Sequence, residues 1–172
     1  MNKAVRDEIM SAVPSHSPQD SRVFRDALGQ FATGVTVITA MHEGQPVGMT
    51  VNSFASVSLD PPLVLWSIGK DSNRFDVFTA VERFAINVLN SDQGGLAGLF
   101  ARDGSAFSPA NSLMWDGVPL IRESLATFDC TLHTTFDGGD HTIILGRVTN
   151  VTLGTGKPLV FHQGSFGGFE KS

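Results

Sequence analysis

The sequence is short of the features that would classify it at once. It has one cysteine, Cys130, in 172 residues, so no intramolecular disulfide can form and a reducing, cytoplasmic compartment is expected. Charged residues make up only 17% and hydrophobic residues 41%, which excludes an intrinsically disordered chain. Basic residues are outnumbered 12 to 17; a nucleic-acid binder is more often basic, so that class is demoted. The longest apolar run is Leu63-Val64-Leu65-Trp66, far below the roughly 20 residues of a membrane-spanning helix. Lys3 and Arg6 are followed by Asp7 and Glu8 rather than by an apolar block, unlike a secretory signal. There is no G-x-G-x-x-G, no G-x-x-x-x-G-K-[ST], no H-E-x-x-H, no paired C-x-x-C and no G-x-S-x-G. His133, His141 and His162 carry no supporting metal motif and read as ordinary, partly exposed histidines.

What is present suits one domain, since domains run to about 100–150 residues. Residues 1–20 are polar, with Pro14 and Pro18 among serines, and read as a flexible arm ahead of a domain over 21–172. Val23, Phe24, Ala27, Leu28 and Phe31 share one face at helical spacing, predicting a helix from Ser21 that Gly34 ends. Val35-Thr36-Val37-Ile38-Thr39 reads as a β-branched strand. A hairpin turn at 42–45 returns the chain through 47–51, Pro61-Pro62 breaks the next ladder, and 63–68 suits a strand buried on both faces. Asp71 or Ser72 is placed to cap a helix through Val81, and Ser91 or Asp92 a helix through Ala101. Residues 84–89 read as a strand and 103–119 as a long loop. Strands over 125–136 and 141–153 flank the turn Asp137-Gly138-Gly139-Asp140, and a short strand closes at 159–161. Hairpin-ordered strands with short helices inserted favour a mostly antiparallel barrel over a parallel sheet.

Four segments bear chemistry. Thr50, Asn52, Ser53 and Ser56 fall within seven positions beside an apolar region. Such donors and close backbone suit the edges of a flavin ring; equally, they suit a polar barrel edge whose hydroxyls satisfy local backbone. Ser67-Ile68-Gly69-Lys70-Asp71-Ser72-Asn73-Arg74 lies between a strand and a helix. It reads either as a phosphate grip at a helix N-terminus or as a plain capped helix with solvated charges. Gly138-Gly139-Asp140-His141-Thr142 puts an imidazole at the mouth of a strand pair, able to hydrogen-bond or stack on a ring, or simply to stand at a sheet edge. Phe161-His162-Gln163-Gly164-Ser165-Phe166 interleaves aromatics with glycine, for a flat ligand or as a tail with aromatic anchors.

Taken together, the chain resembles the flavin reductase family, the small reductase components of two-component flavin-dependent monooxygenases. The resemblance is carried by residues 24–39, by Gly48-Met49-Thr50-Val51-Asn52-Ser53-Phe54 with 56–64, by Arg83-Phe84-Ala85-Ile86-Asn87-Val88-Leu89, and by Gly139-Asp140-His141-Thr142-Ile143 with Gly146-Arg147-Val148. It implies a mainly β fold with short helices, the FMN-binding split β-barrel, working as a homodimer. It implies hydride transfer from NADH, or NADPH, to FAD or FMN, and delivery of reduced flavin to a separate monooxygenase. The alternative on the same barrel is a flavin carrier without nicotinamide turnover. By the same resemblance, Thr50, Val51, Asn52, Ser53 and Ser56 line the ring and ribityl chain. Ser67, Ile68, Lys70 and Asn73 lie toward the phosphate, and Thr33, Gly34, Val35, Thr36 and Val37 touch the distal part. His141 stands beside the nicotinamide as an orienting residue. Phe161, His162, Gln163 and Gly164 lie near the pyridine nucleotide, where the family often carries arginine at the positions of Gln163 and Ser165. No metal, nucleic acid or membrane is implied.

Overall fold

The computed structural model describes residues 2, 3, 5 and 17–170; the arm expected over 1–20 lies for the most part outside them. The β-branched run after Gly34 becomes the strand around which the rest is laid. Strand β1 (Thr33–Gly34) leads into β2 (Thr36–His42), and β2 turns at Glu43-Gly44 into β3 (Gln45–Val51). Strand β4 (Ala55–Leu59) pairs with β5 (Pro62–Gly69). Strand β6 (Arg83–Val88) and the long hairpin β9 (Ala126–Gly138) and β10 (His141–Leu153) complete a seven-stranded sheet in the order β3-β2-β6-β9-β10-β5-β4. Every pair is antiparallel, as the hairpin order of the sequence predicts. Hairpin β7 (Ser112–Trp115) and β8 (Val118–Ile121) occupies the segment expected as a loop. Strand β11 (Leu159–His162) pairs with both β1 and β12 (Ser165–Gly168), the latter not expected from sequence.

The helices are short. Helix α1 (Ser21–Leu28) is capped by Asp20, whose carboxylate accepts from the N–H groups of Arg22 and Val23. It stops at Gly29 and not at Gly34, which joins β1. Helix α2 (Phe75–Ala80) begins after Arg74, so neither Asp71 nor Ser72 caps it. Helix α3 (Gly94–Arg102) follows a single 3-10 turn over Ser91–Gln93, and the capping box there is built by Asn90 and Gln93 rather than by Ser91 or Asp92.

Two apolar clusters fill the interior. Ile38, Trp66, Phe78, Phe84, Ile86 and Ile144 form the larger, inside the curl of the sheet; Trp66 meets Phe78 edge-on at 5.4 Å between ring centroids. Val35, Val37, Leu89, Ala97, Phe100 and Leu159 form the second, under α3. Alternate residues of β2 feed opposite clusters, so β2 is buried on both faces, as is β6 from Phe84 to Asn87. Strand β5, expected to be so, is not: Val64, Trp66 and Ile68 are buried while Leu63, Leu65 and Ser67 are half-buried. Gly48 on β3 lets α3 approach, since a Cβ there would lie 2.7 Å from the Phe100 ring. Asn87 locks β8 to the sheet. Its amide donates to the Val37 carbonyl (2.9 Å) and Thr39 Oγ1 (3.0 Å), and its oxygen accepts from the Ile121 N–H (3.0 Å). A buried amide so satisfied costs little to bury and fixes one packing arrangement.

Cys130 is buried at the β9 side of the larger cluster. Removal from water, helped by the charge of Asp129, pushes its thiol up to about 12. The expected outcome is that a thiol reagent at pH 8 leaves Cys130 unlabelled in the native protein and labels it fully in denaturant, because the thiolate is the reacting form. Thiol titration with and without guanidinium checks this.

Candidate functional site

The curled sheet leaves two free edges, β3 and β4, and the chain crosses from one to the other through Asn52-Ser53-Phe54. Strand β3 shows what an edge offers. Gly48 sends its N–H to the Gly104 carbonyl (2.8 Å) and its own carbonyl accepts from Arg74 (3.2 Å). By the two-residue alternation of a strand, Thr50 turns its main chain outward in the same way. Its side chain is already committed, however: Thr50 Oγ1 donates to the Ala97 carbonyl at 2.7 Å. Ser53 is committed likewise. Its hydroxyl accepts from the Ser67 N–H (3.0 Å) and donates to the Ser67 carbonyl (3.1 Å), tying the crossing loop to β5. These two hydroxyls therefore hold the backbone, and the loop's exposed side chain is that of Asn52.

Asn52 is the inner wall of a cleft of about 700 Å³, a volume within the range of small-molecule sites. Its apolar surfaces come from Leu28, Phe31 and Phe161, and Arg25, Gln30, Thr33 and Gln163 supply polar groups. Thr33 lines the cleft with its hydroxyl turned out of reach, buried and without a hydrogen-bond partner among the described residues. The turn Gln163-Gly164 has both residues at positive φ (47° and 79°), and the Gln163 N–H donates to the Gly29 carbonyl at 3.0 Å. That bond sets the C-terminal hairpin against the end of α1.

A second group lies along β5 from the crossing loop. His141 pairs with Gly69, two residues from Ser67, or about 6–7 Å along a strand. The two-residue turn before it needs Gly139, at φ +82°. His141 Nδ1 lies 2.8 Å from Asp140 Oδ1. Because the ionised carboxylate can only accept, Nδ1 carries the hydrogen; this bond and the imidazole charge hold the Asp140 carboxyl below its ordinary range. Lys70 donates its main-chain N–H to the Asp140 carbonyl (2.9 Å) and its ammonium is ion-paired with Asp137.

The structure thus brings Thr33, Asn52, Phe161, Gln163 and Gly164 together around the cleft, with Gly34 and His162 next to them in the chain. Ser53, Ser67, Lys70 and His141 run along the adjoining strand end. It does not expose Val35, Thr36, Val37, Val51 or Ile68, whose side chains are packed in the interior. The Thr36 hydroxyl is spent on the Val51 carbonyl at 3.1 Å. Ser56 and Asn73 are exposed, and Ser56 lies on edge strand β4 opposite Val64. The phosphate grip at a helix N-terminus is corrected: α2 has six residues and starts beyond the segment, and Arg74 faces inward. Its guanidinium donates to the carbonyls of Gly48, Phe100 and Ala101. Burial there lowers its pKa, against the pull of Asp103. Sequence reasoning missed the α1 wall, Arg25 to Phe31; the apolar face of that helix was the available signal. It also missed Asp137, which reaches Lys70 from 67 residues away.

Replacing Ser53 with alanine strips two hydrogen bonds from Ser67. The expected result is a loss of about 1–2 kcal/mol of stability, read by urea unfolding, together with weaker ligand binding as the crossing loop loosens.

Residues 28–170 match the model of the flavin reductase like domain. An FMN reductase (NADH), SmoA, of Agrobacterium fabrum is 51% identical over 157 residues, covering 89% of this chain and 88% of that protein. The reductase subunit HsaB of a flavin-dependent monooxygenase from Mycobacterium tuberculosis is 40% identical over 159 residues, covering 88% and 83%. The structure of the NADH:FAD oxidoreductase SgcE6 of Streptomyces globisporus, in complex with NAD and FAD fragments, superposes with a TM-score of 0.86 at 38% identity, covering 92% of this chain and 98% of that one. The split-barrel fold, the crossing loop between its free edges and these matches agree: this chain belongs to the flavin reductase family.

Proposed function

We propose that the protein is an NADH-dependent flavin reductase that supplies reduced FMN or FAD to a separate flavin-dependent monooxygenase. The observation that carries the reading is the cleft at the barrel seam, where Asn52 of the crossing loop meets the apolar surfaces of Leu28, Phe31 and Phe161. The residues fit a flavin. A flat tricyclic ring needs apolar walls and a polar edge, and the cleft supplies both. The names of SmoA and SgcE6 support FMN or FAD as acceptor and NADH as donor; that of HsaB supports a monooxygenase as recipient. A single buried cysteine suits the reducing cytoplasm.

When bound, the flavin supplies the acceptor for a hydride delivered directly from the nicotinamide. The chain's own part is binding and orientation. The Asn52 amide and the main-chain N–H groups of the crossing loop would hold the ring's polar edge, as fixed donors that need no reorganising. Ser53 keeps those donors in place through Ser67. His141, half-exposed and steered by Asp140, orients the nicotinamide through its outer ring face. Lys70 lies toward the flavin phosphate. Ser67 belongs to this group through Ser53, and Gln163, with His162 beside it, is the candidate contact for the pyridine nucleotide.

We also propose that the working form is a homodimer. Helix α1 buries none of its residues, and Phe24, Leu28 and Phe31 are 50%, 58% and 78% exposed. An eight-residue helix gains little from its own hydrogen bonds and needs a packed apolar face. A second copy laid across α1 provides it and roofs the cleft.

Steady-state NADH oxidation with catalytic protein and FMN, FAD or riboflavin tests the activity; absence of turnover with any of them overturns the reading. Replacing His141 with alanine is expected to raise the KM for NADH about 5–10-fold, with a smaller fall in kcat, as for loss of one orienting contact. For the dimer, Phe24→Glu is expected to halve the mass seen in sedimentation equilibrium.

A further inference from the structure

The ammonium of Lys70 is not free to meet a ligand unopposed. It is ion-paired with Asp137, on the far strand of the β9–β10 hairpin. The pairing is set by the backbone on both sides. Lys70 is held to the hairpin through its main-chain N–H on the Asp140 carbonyl, while Asp137 lies opposite Thr142, which lies opposite Ile68 of β5. Three strands therefore fix how far the two side chains must reach. Neither group is buried, with 43% of the lysine side chain and 77% of the aspartate exposed. The hydrogen bond and charge of Lys70 hold the Asp137 carboxyl below its ordinary range, so it is ionised at neutral pH. Asp71 and Asp140 add two further carboxylates to the neighbourhood, and Asp140 is engaged with His141. The ammonium thus has one carboxylate paired with it and the charge of a second, Asp140, within its reach.

We propose that Asp137 is an internal counter-ion that competes with the flavin phosphate for Lys70, and so sets how readily the phosphorylated flavin leaves. The inference rests on the reading that Lys70 lies toward that phosphate. An exposed ion pair is weak and opens readily. When a phosphate oxygen reaches the ammonium it replaces a carboxylate, exchanging one ion pair for another instead of adding one. The net pull on the phosphate is reduced, and the ring and ribityl contacts are untouched. A reductase whose product must depart to another protein benefits from that weakening. Asp137 is here an affinity-setting residue that acts through Lys70 and touches no reacting atom.

FMN and riboflavin provide the test, since they share the ring and ribityl chain and differ in the phosphate. Dissociation constants for both are measured by flavin fluorescence with the wild-type protein, Asp137→Asn, Lys70→Met and the double variant, after thermal melts show each folded. Asp137→Asn is expected to tighten FMN about three- to fivefold, the scale of an exposed ion pair, and to leave riboflavin unchanged. Lys70→Met weakens FMN selectively, and in that background Asp137→Asn has no effect. If Lys70→Met weakens FMN selectively but Asp137→Asn leaves FMN unchanged, the counter-ion role is wrong and the placement of Lys70 stands. If Asp137→Asn shifts FMN and riboflavin in parallel, the residue acts through the shape of the hairpin and the competition is wrong. If Lys70→Met fails to separate the two flavins, the placement of Lys70 falls and the inference with it.

Discussion

A sheet that curls without closing leaves main-chain groups unpaired along its two margins, and the site exists because that gap is held open at a fixed width. The hydroxyl of Ser53 does the holding, accepting from and donating to the main chain of Ser67. A serine can do this because one oxygen offers both a hydrogen and lone pairs. With the crossing loop pinned to β5, Asn52 is turned into the cleft and the margin of β3 faces outward at Thr50. Full closure of the sheet would consume these amides in a ladder, and an untied loop would scatter them.

The interior explains why the margins can be polar. Strand β2 is covered on both sides, by the larger cluster within the curl and by the cluster beneath α3. Apolar burial is the main favourable contribution to folding. Here it is concentrated on β2 and its neighbour β6, while the edge strand β4 is left largely exposed. Arg74 belongs to this arrangement: by donating to the carbonyls of Gly48, Phe100 and Ala101 it joins the margin of β3 to the end of α3.

Much of the fold was legible because it is written in local pattern. The β-branched run at 35–39, the glycine-rich turn before His141 and the hairpin order of the strands gave the antiparallel sheet. What misled was equally physical. The run Leu63 to Ile68 has the composition of a strand buried twice over, yet its alternate residues are only half covered; the doubly buried strands are β2 and β6, and β2 carries threonines on both faces. Thr36 satisfies its hydroxyl on Val51, and Thr39 bonds to Pro119 and Asn87, partners that no sequence window contains. The candidate site divides along the same line. Asn52, Thr33 and the Gln163 turn, far apart in the chain, meet at one cleft. Thr50 and Ser53 were legible as polar but not as already paired, and the partner of Lys70 lies 67 residues along the chain. The wall from Arg25 to Phe31 was visible as a helix face, though nothing in its spacing distinguishes a face that lines a cleft from one that fills a core.

The bond from Gln163 to the Gly29 carbonyl has a consequence for traffic through the cleft. It links two segments near opposite ends of the sequence, neither of which belongs to the seven-stranded sheet. Both residues line the cleft, and β1 pairs with β11 beside them, so the rim is built from segments that carry no rung of the large sheet. The width of the mouth offered to a bulky guest is thereby set by the small sheet and the end of α1, apart from the pairing of the seven strands.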